Sequence, residues 1–177
     1  MPQPPITDKV FLDYTQDELD WQYDHSQRFP DTGLFNKERV DASAAAQAKV
    51  KGLFNVPYGD NEREVLDIFP AEGTDNAPVI VFMHGGAWTR GSKEGYSFPA
   101  AEFVPRGVAW VATEFTNVPQ GTLSNQVRQN RDAVAWVYNN AATYGWDRDK
   151  IFIAGHSSGG HMCGMSLVTD WEELYGL

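Results

Sequence analysis

The run Val79-Ile80-Val81-Phe82-Met83 is apolar at every position and leads directly into His84-Gly85-Gly86. A strand with one face in water alternates apolar and polar residues. A strand without that alternation buries both faces, so the sheet that contains it must be covered on each side. Four further β-branched or aromatic runs, at 49–56, 64–69, 108–113 and 151–154, read as strands separated by helical patterns. Within 124–144, Val127, Asn130, Val134, Val137 and Ala141 recur at helical spacing, and Gly145 stands where a left-handed C-cap belongs. Residues 96–106 read as a helix ending near Gly107, and 162–168 can be helical. With right-handed crossovers this order predicts a doubly wound, mostly parallel α/β sheet, introduced by a hairpin-like pair of strands. Upstream, Thr15-Gln16-Asp17-Glu18 has the form of a capping box and opens a short helix to about residue 28. A second helix is expected at 37–48, so residues 1–48 form an N-terminal helical extension and 49–177 the sheet domain.

Charge removes whole classes of partner. The chain has 14 Lys and Arg against 24 Asp and Glu, a formal net charge of −10. It lacks the cationic cluster that supplies most nucleic-acid affinity or attraction to anionic lipid, so neither nucleic acid nor a membrane is expected as a partner. At 177 residues and 42% hydrophobic composition the length suits one domain with a sizeable core. The lone cysteine, Cys163, has no partner within the chain and reads as a packed thiol. Residues 1–5 lack a basic leader followed by an apolar stretch, and no apolar run approaches the ~20 residues that span a bilayer. These features read as a soluble, cytoplasmic protein. No Cys/His spacing suggests a metal site, and no cofactor is expected.

The chemistry is carried by two glycine-rich motifs. Gly155-His156-Ser157-Ser158-Gly159-Gly160 follows the strand at 151–154 and precedes a helical segment, the context in which Gly-x-Ser-x-Gly forms a sharp turn that exposes the serine hydroxyl above a sheet. His84-Gly85-Gly86-Ala87-Trp88 follows the all-apolar strand. A serine that attacks a carbonyl creates an oxyanion, and the N–H groups of Gly85, Gly86 and Ser158 can supply the donors that meet it. If the strand between the two motif strands lies outside them, both loops open at one sheet edge. Ser157 is then the nucleophile, Gly85, Gly86 and Ser158 the oxyanion hole, and Trp88 a residue able to touch substrate.

His-Gly-Gly-Ala-Trp followed by Gly-His-Ser-Ser-Gly-Gly resembles the α/β-hydrolase superfamily, specifically the hormone-sensitive-lipase-like esterases and the kynurenine formamidases. Val56-Pro57-Tyr58-Gly59, Leu66-Asp67-Ile68-Phe69-Pro70 and Tyr144-Gly145-Trp146-Asp147 are similar to formamidase sequence. The resemblance runs from about 56 to 169 and makes 49–177 the N-terminal portion of such a hydrolase, without its C-terminal strands. It implies covalent acyl transfer on a small-molecule carboxylic ester or small-acyl amide, including an aryl formamide of the N-formylkynurenine type. A non-catalytic binding scaffold, or an inactive fragment, is the alternative.

In such hydrolases the triad runs in the order Ser, then Asp or Glu, then His. After Ser157 the chain offers only His161 and the carboxylates Asp170, Glu172 and Glu173. His161 falls one turn along the helix that carries the serine and is expected to point into packing. The acid and base are therefore expected outside this segment, in a C-terminal remainder that could be a separate chain. The other histidines have structural readings: His84 holds the glycine loop, His156 points away from the reacting face, and His25 lies on a helix surface. Phe98 and Trp110 read as core, and Glu114 as a solvated or loop-bracing carboxylate.

Overall fold

The computed structural model describes residues 8–24, 28–29 and 31–177. The chain divides into two compact units, residues up to Glu38 and Arg39–Leu177. In the first, β1 (Lys9–Phe11) pairs antiparallel with β2 (Tyr14–Thr15), a hairpin absent from the sequence expectation, and α1 spans Gln16–Tyr23. The capping box is present: the Glu18 N–H donates to Thr15 Oγ1 at 3.3 Å and the Thr15 N–H to Glu18 Oε2 at 2.7 Å. The division falls inside α2 (Thr32–Gln47), which starts earlier than its periodicity suggests.

The second unit is built on a five-stranded sheet: β3 (Leu53–Pro57), β4 (Val65–Phe69), β5 (Ala77–Met83), β6 (Ala109–Thr113) and β7 (Trp146–Gly155). Their order is β3-β4-β6-β5-β7. β3 and β4 form the hairpin, β4 pairs antiparallel with β6, and β5 is parallel to both β6 and β7. The sheet is thus mixed, with its parallel pairs around β5.

Alternation along the strands feeds two hydrophobic clusters. Leu66, Ile68, Val79, Val81, Met83 and Val111 pack with Ala133, Val134 and Val137 of the helix Leu123–Asn139 and with Met162. Phe69 and Trp110 pack with Val50, Ala100 and Val104, flanked by half-buried Ile80 and Phe82. β5 is therefore covered on both sides, as its unbroken apolar run requires. Each fully buried Val, Leu or Ile contributes roughly 1.5–3 kcal/mol, so the strand that carries the first glycine motif is among the most firmly held elements.

The expected helix at 96–106 is broken into a 3-10 turn (Lys93–Tyr96), α3 (Ala100–Phe103) and a second 3-10 turn (Val104–Arg106), ended by Gly107 at φ 78°. Pro99 and Pro105 explain the breaks, since neither can donate the hydrogen bond that would continue a helix. α4 (Leu123–Asn139) is capped by Thr122, whose Oγ1 accepts from the Asn125 N–H at 3.1 Å. α5 (Ala141–Tyr144) follows and ends on Gly145 at φ 72°. α6 (Ser158–Leu167) and α7 (Trp171–Tyr175) complete the chain. Among the described residues, no helix is long and apolar enough to cross a membrane.

Candidate active site

The register aligns Met83 of β5 with Gly155 of β7, so the two strands that lead into the motifs end side by side. β6 lies on the far side of β5, the arrangement that opens both loops at one edge. Where β7 ends, the chain turns at once into α6, and Ser157 occupies φ 53°, ψ −117°. A non-glycine residue held there stores on the order of 1–3 kcal/mol of strain, which the surroundings must over-determine. They do so by close approach. A β-carbon on Gly155 would collide with the Gly159 carbonyl, and one on Gly159 would collide with the Met83 carbonyl. The His156 N–H donates to the Met83 carbonyl at 3.2 Å, and Ser157 is left exposed at the start of α6.

The facing loop is equally constrained. Gly86 has φ 138°, Ala87 51° and Trp88 63°. The Gly86 carbonyl accepts from Thr89 at 3.1 Å and Arg90 at 3.0 Å, forming a tight turn. The Trp88 carbonyl accepts from Gln126 Nε2 at 2.7 Å and the Val118 N–H at 2.9 Å, which ties the loop to α4. Gly159 and Gly160 donate back to the carbonyls of His156 and Ser157, whereas no turn or loop hydrogen bond among the described residues uses the Gly85, Gly86 or Ser158 amide.

Beneath this loop is a buried polar network. Glu114, 3% exposed, directly follows β6 and accepts from Arg63 Nη2 at 2.9 Å, the Lys93 N–H at 3.2 Å and the Phe115 N–H at 2.9 Å. Its Oε1 also lies 3.1 Å from His84 Nε2, and His84 Nδ1 lies 2.9 Å from the Gly85 carbonyl. His84 stacks on Phe115 with centroids 4.1 Å apart. His84 thus couples Glu114 to the glycine loop, and Glu114 braces the loop from within the core, with none of a solvated carboxylate's exposure. Lys93 makes a second buried ion pair, Nζ to Asp67 Oδ1 at 2.9 Å. Strand periodicity could place Asp67 and Glu114 at sheet positions but could not show that cations wait for them across the fold.

The remaining candidates are dispersed. Trp88 is 39% exposed, and its indole meets His161 edge-on with centroids 6.0 Å apart. His161, with Leu123, Val127, Arg131 and Met165, lines an open cleft of about 370 Å³ between α4 and α6. His156 Nδ1 lies 3.2 Å from the Tyr96 hydroxyl. Trp110 is core, its Nε1 donating to the Tyr96 carbonyl at 2.9 Å, while Phe98 is exposed. Asp170 caps α7, accepting from the Glu173 N–H at 2.9 Å, and Glu172 and Glu173 lie in that helix's exposed first turn. Cys163 is half-buried, and burial pushes its thiol up. His25 lies outside the described residues. Among the described residues there is no group of three or more His, Cys, Asp or Glu able to hold a metal ion.

Known proteins bear on this geometry. The BD-FAE family model matches residues 66–174, more than half of the chain and the whole of both motifs. Kynurenine formamidases are similar: that of Danio rerio is 31% identical over 90% of this chain and 55% of its own length, and that of Salmo salar 32% over 91% and 56%. An isoprenylcysteine alpha-carbonyl methylesterase of Arabidopsis thaliana is 32% identical over 69% of this chain and 29% of its own. The chain therefore spans about half the length, or less, of the curated relatives it matches. A crystal structure from Silicibacter sp., assigned as a thioesterase, superposes with a TM-score of 0.71 at 26% identity, covering 85% of this chain and 55% of the other. By sequence match, sheet order and motif placement, the chain belongs to the BD-FAE family, within the esterase and formamidase group of the α/β-hydrolase fold.

Proposed function

We propose that the protein is a serine hydrolase working by covalent acyl transfer, with Ser157 as nucleophile and the amides of Gly85, Gly86 and Ser158 as oxyanion hole. The observation that carries this reading is Ser157 at φ 53° beside the Gly85-Gly86 loop, at paired strand ends. A binding scaffold has no chemical use for a strained serine packed beside a glycine loop whose amides make no turn or loop hydrogen bond. The Ser157 oxygen attacks the carbonyl carbon while a base takes its proton, and the oxyanion settles on the amides. The bond to the leaving alcohol or amine then breaks, with the proton returned to it, and water releases the acid from the acyl-enzyme by the same steps. The acid and base of the triad come from outside residues 1–177, in sequence beyond Leu177 or on a separate chain, because His84 and His156 are hydrogen-bonded elsewhere and His161, its Nδ1 buried without a hydrogen-bond partner, lies on the helix that carries Ser157 and packs edge-on against Trp88.

The formamidase relatives favour an aryl formamide as substrate, with Trp88 against its ring. A general carboxylic ester is the second reading, favoured by the methylesterase similarity. The acidic composition and lone cysteine support a cytoplasmic location. In the full-length protein, Ser157→Ala should abolish turnover while substrate binding survives, with a loss approaching the ~10⁶-fold typical of removing such nucleophiles. Retention of more than about a hundredth of kcat would remove Ser157 from the mechanism.

A further inference from the structure

We propose that His156, between Gly155 and the proposed nucleophile, donates a hydrogen bond from Nε2 to a carbonyl oxygen on the substrate's leaving group, with Arg39 and Tyr96 as the residues that position it. The proposal rests on the serine-hydrolase reading and adds a specificity element to it.

The argument follows the protons. Arg39 Nη1 lies 2.9 Å from the Tyr96 oxygen, and its guanidinium also covers the Tyr96 ring, 4.6 Å from the centroid. A guanidinium has donors only, so the Tyr96 oxygen accepts this bond. The phenolic proton then goes to the other neighbour, His156 Nδ1, at 3.2 Å. Nδ1 is thereby an acceptor, and the neutral ring carries its proton on Nε2. The opposite tautomer would aim the proton on Nδ1 at an oxygen already taking one from Arg39 and would leave the phenolic proton without this acceptor. In metal sites the bond made by one ring nitrogen sets the state of the other, and the same logic holds here.

The relay is rigid where it needs to be. Tyr96 is buried, its ring packs on Phe82 with centroids 5.0 Å apart, and its carbonyl is held by Trp110 Nε1. His156, in contrast, is exposed. Contrary to the expectation that it turns away, its Nδ1 lies beside the glycine loop: a β-carbon on Gly85 would stand 2.8 Å from His156 Nδ1 and 3.0 Å from Ser157 Cβ. The ring therefore flanks both the oxyanion loop and the nucleophile. It is poorly placed to act as the base, since Nδ1 is occupied and Nε2 already carries a proton. What it offers is a fixed donor. The acyl oxygen is met by the backbone amides, so the acceptor left for His156 is on the leaving group.

The test uses the full-length protein and two aryl acetates of similar shape, one with an ortho-acetyl group and one with an ortho-isopropyl group. His156→Ala should reduce the preference for the acetyl-bearing ester, measured as the ratio of kcat/KM values, by ~3–10-fold, the loss of one neutral hydrogen bond. His156→Gln, whose amide nitrogen can stand near the Nε2 position, should restore part of that ratio. Tyr96→Phe should reduce it in the same direction. Long-range ¹H–¹⁵N spectra should show His156 with its proton on Nε2 in the unsubstituted protein and a mixture of tautomers in Tyr96→Phe, a signature that a merely structural tyrosine would not produce. A ratio unchanged in His156→Ala, or a proton found on Nδ1, overturns the proposal while leaving Ser157 chemistry intact. Failure to hydrolyse either ester, together with no reaction of Ser157 with a fluorophosphonate, removes both.

Discussion

Gly85 and Ser157 belong to different motifs, yet a β-carbon on Gly85 would stand 3.0 Å from Ser157 Cβ and 2.6 Å from the His156 carbonyl oxygen. The two loops are packed against each other with no room for a methyl group. Glycine at 85 is thus set by contact, whereas glycine at 86 is set by a backbone φ of 138° and by the Arg90 carbonyl, which a side chain would overlap. Gly85→Ala and Gly86→Val should each lower kcat of the full-length enzyme by at least the ~10²–10³-fold lost when one oxyanion donor is removed. Circular dichroism should show the sheet retained. An unchanged kcat in either variant would place the oxyanion hole elsewhere.

Much of this arrangement is legible in the sequence. The unbroken apolar run of β5 required cover on both faces, and the helical spacing of Val127, Asn130, Val134 and Val137 predicted α4. What stayed hidden has specific causes. The β1–β2 hairpin is short and exposed, so it has no burial pattern to read. Residues 96–106 have helical composition, but Pro99 and Pro105 cut the segment into single turns. Glu114 and His84 meet at 3.1 Å just past the ends of β6 and β5, and Arg39 reaches Tyr96 from α2. Pairings of that kind follow from strand order and have no local signal.

The Lys93–Asp67 pair gives a stability prediction. Both side chains are nearly inaccessible, and Asp67 Oδ1 also accepts from the Asn55 N–H at 3.0 Å. Removing one partner leaves a buried charge uncompensated, whereas removing both does not. Lys93→Met should cost about 3–5 kcal/mol in urea unfolding. The double variant Lys93→Met/Asp67→Leu should recover a large part of that loss, and equal instability of single and double variants would argue against a charge penalty.

Glu64 sets a pH dependence. Burial by itself raises its carboxyl, but hydrogen bonds from Arg128 at 2.7 Å, the Asn61 N–H at 3.1 Å and Gln129 at 3.0 Å outweigh it and hold the group below its ordinary 4.5. A carboxylate lowered by folding stabilises the fold above its unfolded-state value and loses that contribution as pH falls through its folded-state value. The folded protein should therefore weaken progressively below pH 4.5. Glu64→Gln should be less stable than the parent at pH 7, and the gap should close in acid. A gap that persists undiminished at the lowest pH where both remain folded would assign the loss to shape and not to charge.

Residues 1–177 alone should not react rapidly with a fluorophosphonate, nor release phenol from an activated ester in a burst, because a serine hydroxyl is a weak nucleophile without an adjacent base. Within the described residues, His84 is committed to Gly85 and Glu114 and His156 to Tyr96, while His161, its Nδ1 buried without a hydrogen-bond partner, is set one turn along the helix that carries Ser157 and meets Trp88. On the proposed reading the amides of Gly85, Gly86 and Ser158 are supplied by this segment and the proton acceptor is not. A second obstacle is physical: β7 is an edge strand in this segment, with Phe152 57% exposed, and an unpaired apolar edge invites association. The two causes separate by experiment. Gel filtration and circular dichroism identify folded, monomeric 1–177, and labelling at Ser157 is then timed against the full-length protein, which should react at least ~10²-fold faster, the low end of what a positioned base contributes. Equal rates from a folded, solitary chain would place the base within this sequence, with His161 the first residue to replace.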